Sequence, residues 1–152
     1  MGNYQGDIYV EYAESINERP EVVWTALRDV RGAGLPTDDA EPPLVAKDRR
    51  PGAAHMVRPS IAVYMEERLT GCDANLMLLG LEMIRCEGLP WSAYRSTFRV
   101  QPSLGGRSTV VATCLATPTA EMKVVAGMLR GMLVLTVQRL KAEVEHHTQP
   151  AN

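Results

Sequence analysis

Four side chains in the middle of this 152-residue chain carry proton-transfer or oxygen-binding chemistry next to apolar neighbours. Glu67 lies in the stretch Ile61–Leu69, where residues two apart share a strand face, so it sides with Val63 and Met65 while Glu66 points the other way. A carboxyl among such neighbours is a general acid or base with a raised pKa, or a polar anchor that orients a ligand through water. Tyr94, Ser96, Phe98 and Val100 share a face of the next-but-one strand. The Tyr94 phenol suits donation to a developing enolate or carbonyl oxygen, with Ser96 assisting two residues along, or both simply bind. His55, in Ala53-Ala-His-Met-Val-Arg58, sides with Val57. It reads either as a general base near neutral pH or as a hydrogen-bonded core histidine.

Other chemistry is absent from the sequence. There is no GxSxG elbow, GxxxxGK[ST] loop, dinucleotide fingerprint or HExxH helix, so neither cofactor nor metal is expected. Cys72, Cys86 and Cys114 are odd in number and widely spaced, which suggests packed thiols and not a disulfide framework or CxxC site. Sixteen Lys and Arg stand against eighteen Asp and Glu, and the longest basic block is Lys47-Asp48-Arg49-Arg50. Nucleic acid and an anionic membrane are therefore not expected partners. The opening Met-Gly-Asn-Tyr-Gln-Gly-Asp has no basic or apolar leader region, which predicts a cytoplasmic protein.

The elements that must position these residues follow from periodicity and turn residues. At 45% apolar and 22% charged, the chain fits a single domain over residues 1–152, with a frayed tail from about residue 147. A strand over Ile8–Ser15 leads through a Pro-marked turn into the helix Pro20–Leu27, where Trp24 is a packing residue beside Val22, Val23 and Leu27. Gly32–Pro43 reads as a long connection. Strands are predicted over Leu44–Asp48, Ala53–Arg58, Ile61–Leu69, Ala74–Cys86, Tyr94–Gln101 and Ser108–Thr117, antiparallel because their connections are short. Thr117-Pro118-Thr119-Ala120-Glu121 signals the start of a last helix running to about 146. Between Val124 and Val137 that helix carries only one charge, Arg130, and is too short in its apolar part to span a bilayer. Gly127 and Gly131 form a GxxxG pair, read here as letting the sheet approach closely.

Strand, helix with a Val-Trp pair, six strands and a long terminal helix: in this order the chain resembles the START-like, Bet v 1-like superfamily of polyketide cyclases/dehydrases and lipid-transport proteins. Local matches are Glu67-Arg68-Leu69, Leu89-Pro90, Tyr94-Arg95-Ser96 and Gln138-Arg139-Leu140-Lys141, and the branch resembles the one holding plant abscisic acid receptors and bacterial relatives. The resemblance implies an α+β helix-grip fold, with a curved seven-stranded antiparallel sheet wrapped around the terminal helix and a ligand cavity between them. It places Glu67, Tyr94 and Ser96 against ligand, and makes Met128, Met132 and Thr136 the lining stripe of the helix. Trp91 falls where relatives carry a loop over the cavity mouth. Phe98, Met65 and Val57 complete the wall, and His55 stands where relatives more often carry Arg. The receptor gate loop is replaced by Arg58-Pro59-Ser60, and Lys47 cannot be matched to the receptor lysine, so a hormone-receptor role is not implied.

The resulting expectation is a cofactor-free cyclase, dehydratase or lyase acting on a hydrophobic polyketide-like or other secondary-metabolite intermediate, with Glu67, His55 and Tyr94 catalytic. The alternative is a non-catalytic carrier or sensor of a hydrophobic small molecule. A homodimer through the apolar terminal helix is a third option, set lower because the superfamily buries that helix.

Overall fold

Alternation along the strands decides which side of the sheet is buried. In the computed structural model, which describes residues 6–33, 54–60 and 63–148, with side chains for 6–29 and 63–146, β1 (Ile8–Ile16) leads into α1 (Pro20–Ala33). Then follow β2 (Ala54–Ser60), β3 (Val63–Asp73), β4 (Leu78–Glu87), β5 (Trp91–Pro102), β6 (Ser108–Pro118) and α2 (Met122–Thr148). The six strands form one antiparallel sheet in the order β1-β6-β5-β4-β3-β2. The sequence predicts seven strands; the seventh, Leu44–Asp48, lies outside the described residues, as do Lys47 and the chain beyond Thr148.

Along β6 the side chains alternate strictly, with Ser108, Val110, Ala112, Cys114 and Ala116 buried and the residues between them half-buried. This is the pattern of a sheet with one covered face. The cover is helical: α2 packs on β1 and β6, and α1 packs on α2, β5 and β2. α1 begins with Pro20 at its first position, where a missing N–H costs nothing, and the Arg19 carbonyl accepts from the Val22 and Val23 amides. It buries Val23, Trp24 and Leu27, and the Arg28 guanidinium lies over the Trp24 ring at 5.8 Å, the i, i+4 spacing of a helix face.

Two boundaries differ from expectation for local reasons. The sequence puts the β3–β4 turn at Thr70–Asp73, but β3 continues through Asp73 and the turn is residues 74–77. There the Asp73 carboxylate accepts from the amides of Asn75 (2.9 Å) and Leu76 (3.0 Å), and Met77 takes a left-handed φ of 51°. A Cβ at Gly80, opposite Gly71, would meet Thr70 Oγ1 at 2.8 Å, so a side chain there would require Thr70 to move. The last helix starts at Met122, later than expected, because β6 keeps pairing with β5 up to Pro118↔Trp91.

Candidate functional site

The buried face of the sheet carries few polar groups, and three of them are residues singled out from the sequence. Glu67 is 0% exposed and Ser96 2%, on a face otherwise made by Met65, Leu69, Leu79, Leu81, Phe98 and Val100. Tyr94 is buried with them. Their neighbours of opposite parity face out: Arg95 is exposed, and Glu66 is half-buried with its carboxylate 2.7 Å from Arg85 Nε.

Register places these groups on two rows. Glu67 is paired with Met83 of β4 on one side and with His55 of β2 on the other. A β4 bulge at Ile84, between the pairs Glu66↔Arg85 and Glu67↔Met83, seats Met83 beside Glu67. Ser96 is paired with Leu81 and Cys114, and Tyr94 with Ala116. The β4–β5 ladder ends at Glu82↔Arg95 although β4 runs on to Glu87. Met83 and Tyr94, which would be the next pair, are therefore not joined. A depression of about 280 Å³ lies there, bordered by Glu82, Ile84, Ala93, Arg95, Met83 and Tyr94. Most of these residues belong to the outer face, so this depression is not the expected chamber between sheet and α2.

Trp91 is not in a loop over a cavity mouth: it opens β5, is 2% exposed, and stacks on Tyr94 with ring centroids 5.7 Å apart. A bulge between Trp91 and Ala93 lets both aromatic rings face inward. The Cys86 thiol donates to the Trp91 carbonyl at 3.4 Å. Among the described residues the Trp91 Nε1–H and the Ser96 hydroxyl have no hydrogen-bond partner. Buried polar atoms of this kind call for one. The indole N–H is a donor that sequence reasoning did not anticipate, because a pattern of types shows that a Trp is present but not where its single polar atom ends up.

The terminal helix corrects a further expectation. Its buried stripe is Val125, Leu129, Leu133, Val137, Leu140 and Val144. Thr136 belongs to its edge, 3% exposed, with its hydroxyl donating to the Met132 carbonyl at 2.9 Å, and Met132 is half-buried. Met128 is 40% exposed and does not line the same stripe. Steps of four along a helix advance by 400°, so the face rotates by 40° at each step. Over two steps this carries Thr136 into the core and leaves Met128 outside. The expected close approach at Gly127 and Gly131 is also not seen among the described residues, where a Cβ at either glycine would meet nothing within 4 Å. The side chains of His55 and Val57 lie outside the described residues.

Cys114, beside Ser96, is no nucleophile. Burial pushes its thiol up to about 12, so it stays protonated near neutral pH. Burial also raises Cys86. Among the described residues no group of three or more His, Cys, Asp or Glu could hold a metal ion, and no helix is long and apolar enough to cross a membrane.

No protein-family model and no curated protein matches the chain. Solved structures do. Norcoclaurine synthase from Thalictrum flavum, in complex with dopamine and hydroxybenzaldehyde, superposes with a TM-score of 0.70 at 13% identity, covering 95% of this chain and 90% of its own. A protein from Thermus thermophilus gives 0.69 at 17% identity, over 93% of this chain and 100% of its own. The protein XoxI from Bacillus cereus gives 0.65 at 15%, over 93% and 99%. The chain has the Bet v 1/START-like fold.

Proposed function

We propose that the protein is a cofactor-free cyclase, dehydratase or related lyase that acts on a hydrophobic, oxygen-bearing intermediate held against the inner face of the sheet. The observation that carries this reading is Glu67, a carboxyl group 0% exposed on a largely apolar face that it shares with Tyr94 and Ser96. Placing a carboxyl there has a large desolvation cost, and proton transfer is the use that benefits from it. Glu67 takes a carbon-bound proton, Tyr94 donates to the carbonyl oxygen as charge develops there, and apolar walls hold the folded substrate conformation. The Ser96 hydroxyl and the Trp91 N–H, both buried without a partner among the described residues, supply further hydrogen bonds to substrate oxygens. His55, whose backbone is paired opposite Glu67, is the second candidate base. Norcoclaurine synthase, solved with an amine and an aldehyde bound, supports the reading only in that a synthase uses this fold on small aromatic molecules.

The test is mass spectrometry of small molecules retained by the native protein and by Glu67→Gln. The variant should accumulate a precursor that is isomeric with the wild-type compound, for a cyclase, or richer by one water, for a dehydratase. If both proteins hold the same compound and neither transforms it, the protein is a carrier or sensor.

A further inference from the structure

Among the described residues, only one side of α2 is buried by the rest of the fold. At 100° per residue, Val124, Met128, Gly131 and Leu135 fall within a narrow arc opposite the buried stripe, with Gly127 at its edge. The arc is apolar yet open: Val124 is 54% exposed, Met128 40% and Leu135 47%. Its two glycines weaken the helix, and among the described residues nothing packs into the space they leave. The charged residues of this stretch lie elsewhere, Arg130 reaching back over the Tyr12 ring at 5.6 Å.

Charge enters the arc only at its ends. Glu121, whose carbonyl accepts the Val125 amide at the start of the helix, stands at one end, and Arg139 lies on the same arc at the other; both are exposed. Glu121 and Arg139 are centred on position 130. Val124 with Leu135, and Met128 with Gly131, are centred half a residue earlier. Acid, apolar knob, glycine, apolar knob and base are thus arranged about a single point along the helix.

We propose that this face docks a second copy of the chain, α2 against α2, antiparallel about a two-fold axis at the level of residues 129 and 130. In that arrangement Met128 enters the space at Gly131 of the partner subunit, Val124 meets the partner's Leu135, and Glu121 meets the partner's Arg139, each contact occurring twice. A pattern that is its own complement is what an isologous interface requires, and an unrelated partner would need only a complementary face. Parallel packing would instead set Glu121 beside its own copy.

Sedimentation of the full chain from about 5 to about 500 μM reads the association directly, since a dimer is populated by mass action. A concentration-dependent dimer is expected. Gly131→Leu should raise its dissociation constant about tenfold or more, while the fold persists because leucine favours helix at an exposed site; a circular dichroism melt checks this. Glu121→Arg and Arg139→Glu should each weaken the dimer by about fivefold, and the double variant should return to within about threefold of the parent. A chain monomeric throughout the range at low salt overturns the proposal. So does a dimer indifferent to Gly131→Leu, or a double variant as weak as the single ones.

Discussion

Glu66 and Glu67 are adjacent in β3, and the two faces of the sheet treat them oppositely. Glu66, on the outer face, keeps contact with water and has Arg85 at 2.7 Å. Such a pair needs no special environment and contributes little, because water competes for both partners. Glu67, one residue on, is fully buried on a largely apolar face. The outer face is dressed with pairs of this kind, Arg68 with Glu82 at 3.2 Å being another, whereas the inner face carries only a few polar side chains among the described residues, Glu67 in β3, Tyr94 and Ser96 in β5 and Ser108 in β6. Solubility explains the first face, but it does not explain a carboxyl in the second.

Substitutions at neighbouring positions of β5 should show the largest contrast. Phe98→Ala, on the inner face at 2% exposure, should cost about 3–5 kcal/mol in denaturant unfolding, whereas Arg99→Ala, exposed on the other face, should stay within about 0.5 kcal/mol. Equal losses would mean that the two faces are not distinct. Next comes the carboxylate pair. Glu67→Gln should lower kcat about 10²-fold or more, with ligand affinity largely kept, while Glu66→Gln leaves kcat within about twofold. Tyr94→Phe should fall between them, because its ring still packs on Trp91 and only an oxygen-directed hydrogen bond is lost. Full turnover in both Glu67→Gln and Tyr94→Phe would remove the catalytic assignment.

The inner and outer faces were legible because strand alternation has a period of two, which the types at Val63, Met65 and Glu67, and at Tyr94, Ser96, Phe98 and Val100, display directly. Helix α2 was legible as an element but not in its facing. Its central residues are apolar all round, so hydrophobicity could not say that Leu129 is inside and Met128 outside; only contact with β1, β6 and α1 decides that. The separation of β4 from β5 beyond Glu82↔Arg95 had no sequence signal, since it depends on a ladder that stops while both strands continue. Trp91 was misplaced for a similar reason. Gly88-Leu89-Pro90 marks a turn, but how soon pairing resumes after it is set by β6, which offers Pro118 as the partner.

Burial of Cys114 extends the contrast to pH. Its thiol is pushed up from the usual value to about 12, mainly by burial. Below about pH 9 both folded and unfolded chains keep the proton, and the stability contributed by the packed thiol is fully present. Above that the unfolded chain ionises while the folded one does not, so this stability is lost as pH rises toward the folded value, by up to about 1.4 kcal/mol per unit. Urea unfolding of the wild type and Cys114→Ala at about pH 8 and about pH 10 should show the wild type's advantage shrinking by about 1 kcal/mol. An advantage independent of pH would mean that the thiol is not kept from water.

Glu14 lies between the two extremes and should give the smallest effect. It sits on edge strand β1, its carboxylate 3.1 Å from Lys141 Nζ of α2 and hydrogen-bonded by the Tyr12 hydroxyl at 3.0 Å. The Lys141 hydrogen bond is the main reason its carboxyl is held below the usual range, partly offset by desolvation. A carboxyl lowered in the folded state stabilises above its unfolded pKa, and that share is lost as pH falls through the folded value. Glu14 and Lys141 are still 25% and 31% exposed, so the pair should contribute only some tenths of a kcal/mol. Glu14→Gln should therefore unfold slightly more easily than the parent at about pH 7, with the difference shrinking as pH falls through the acid range and salt reducing it at the higher pH. A deficit that persists in acid would assign the role of Glu14 to packing against Tyr12 instead of to its charge.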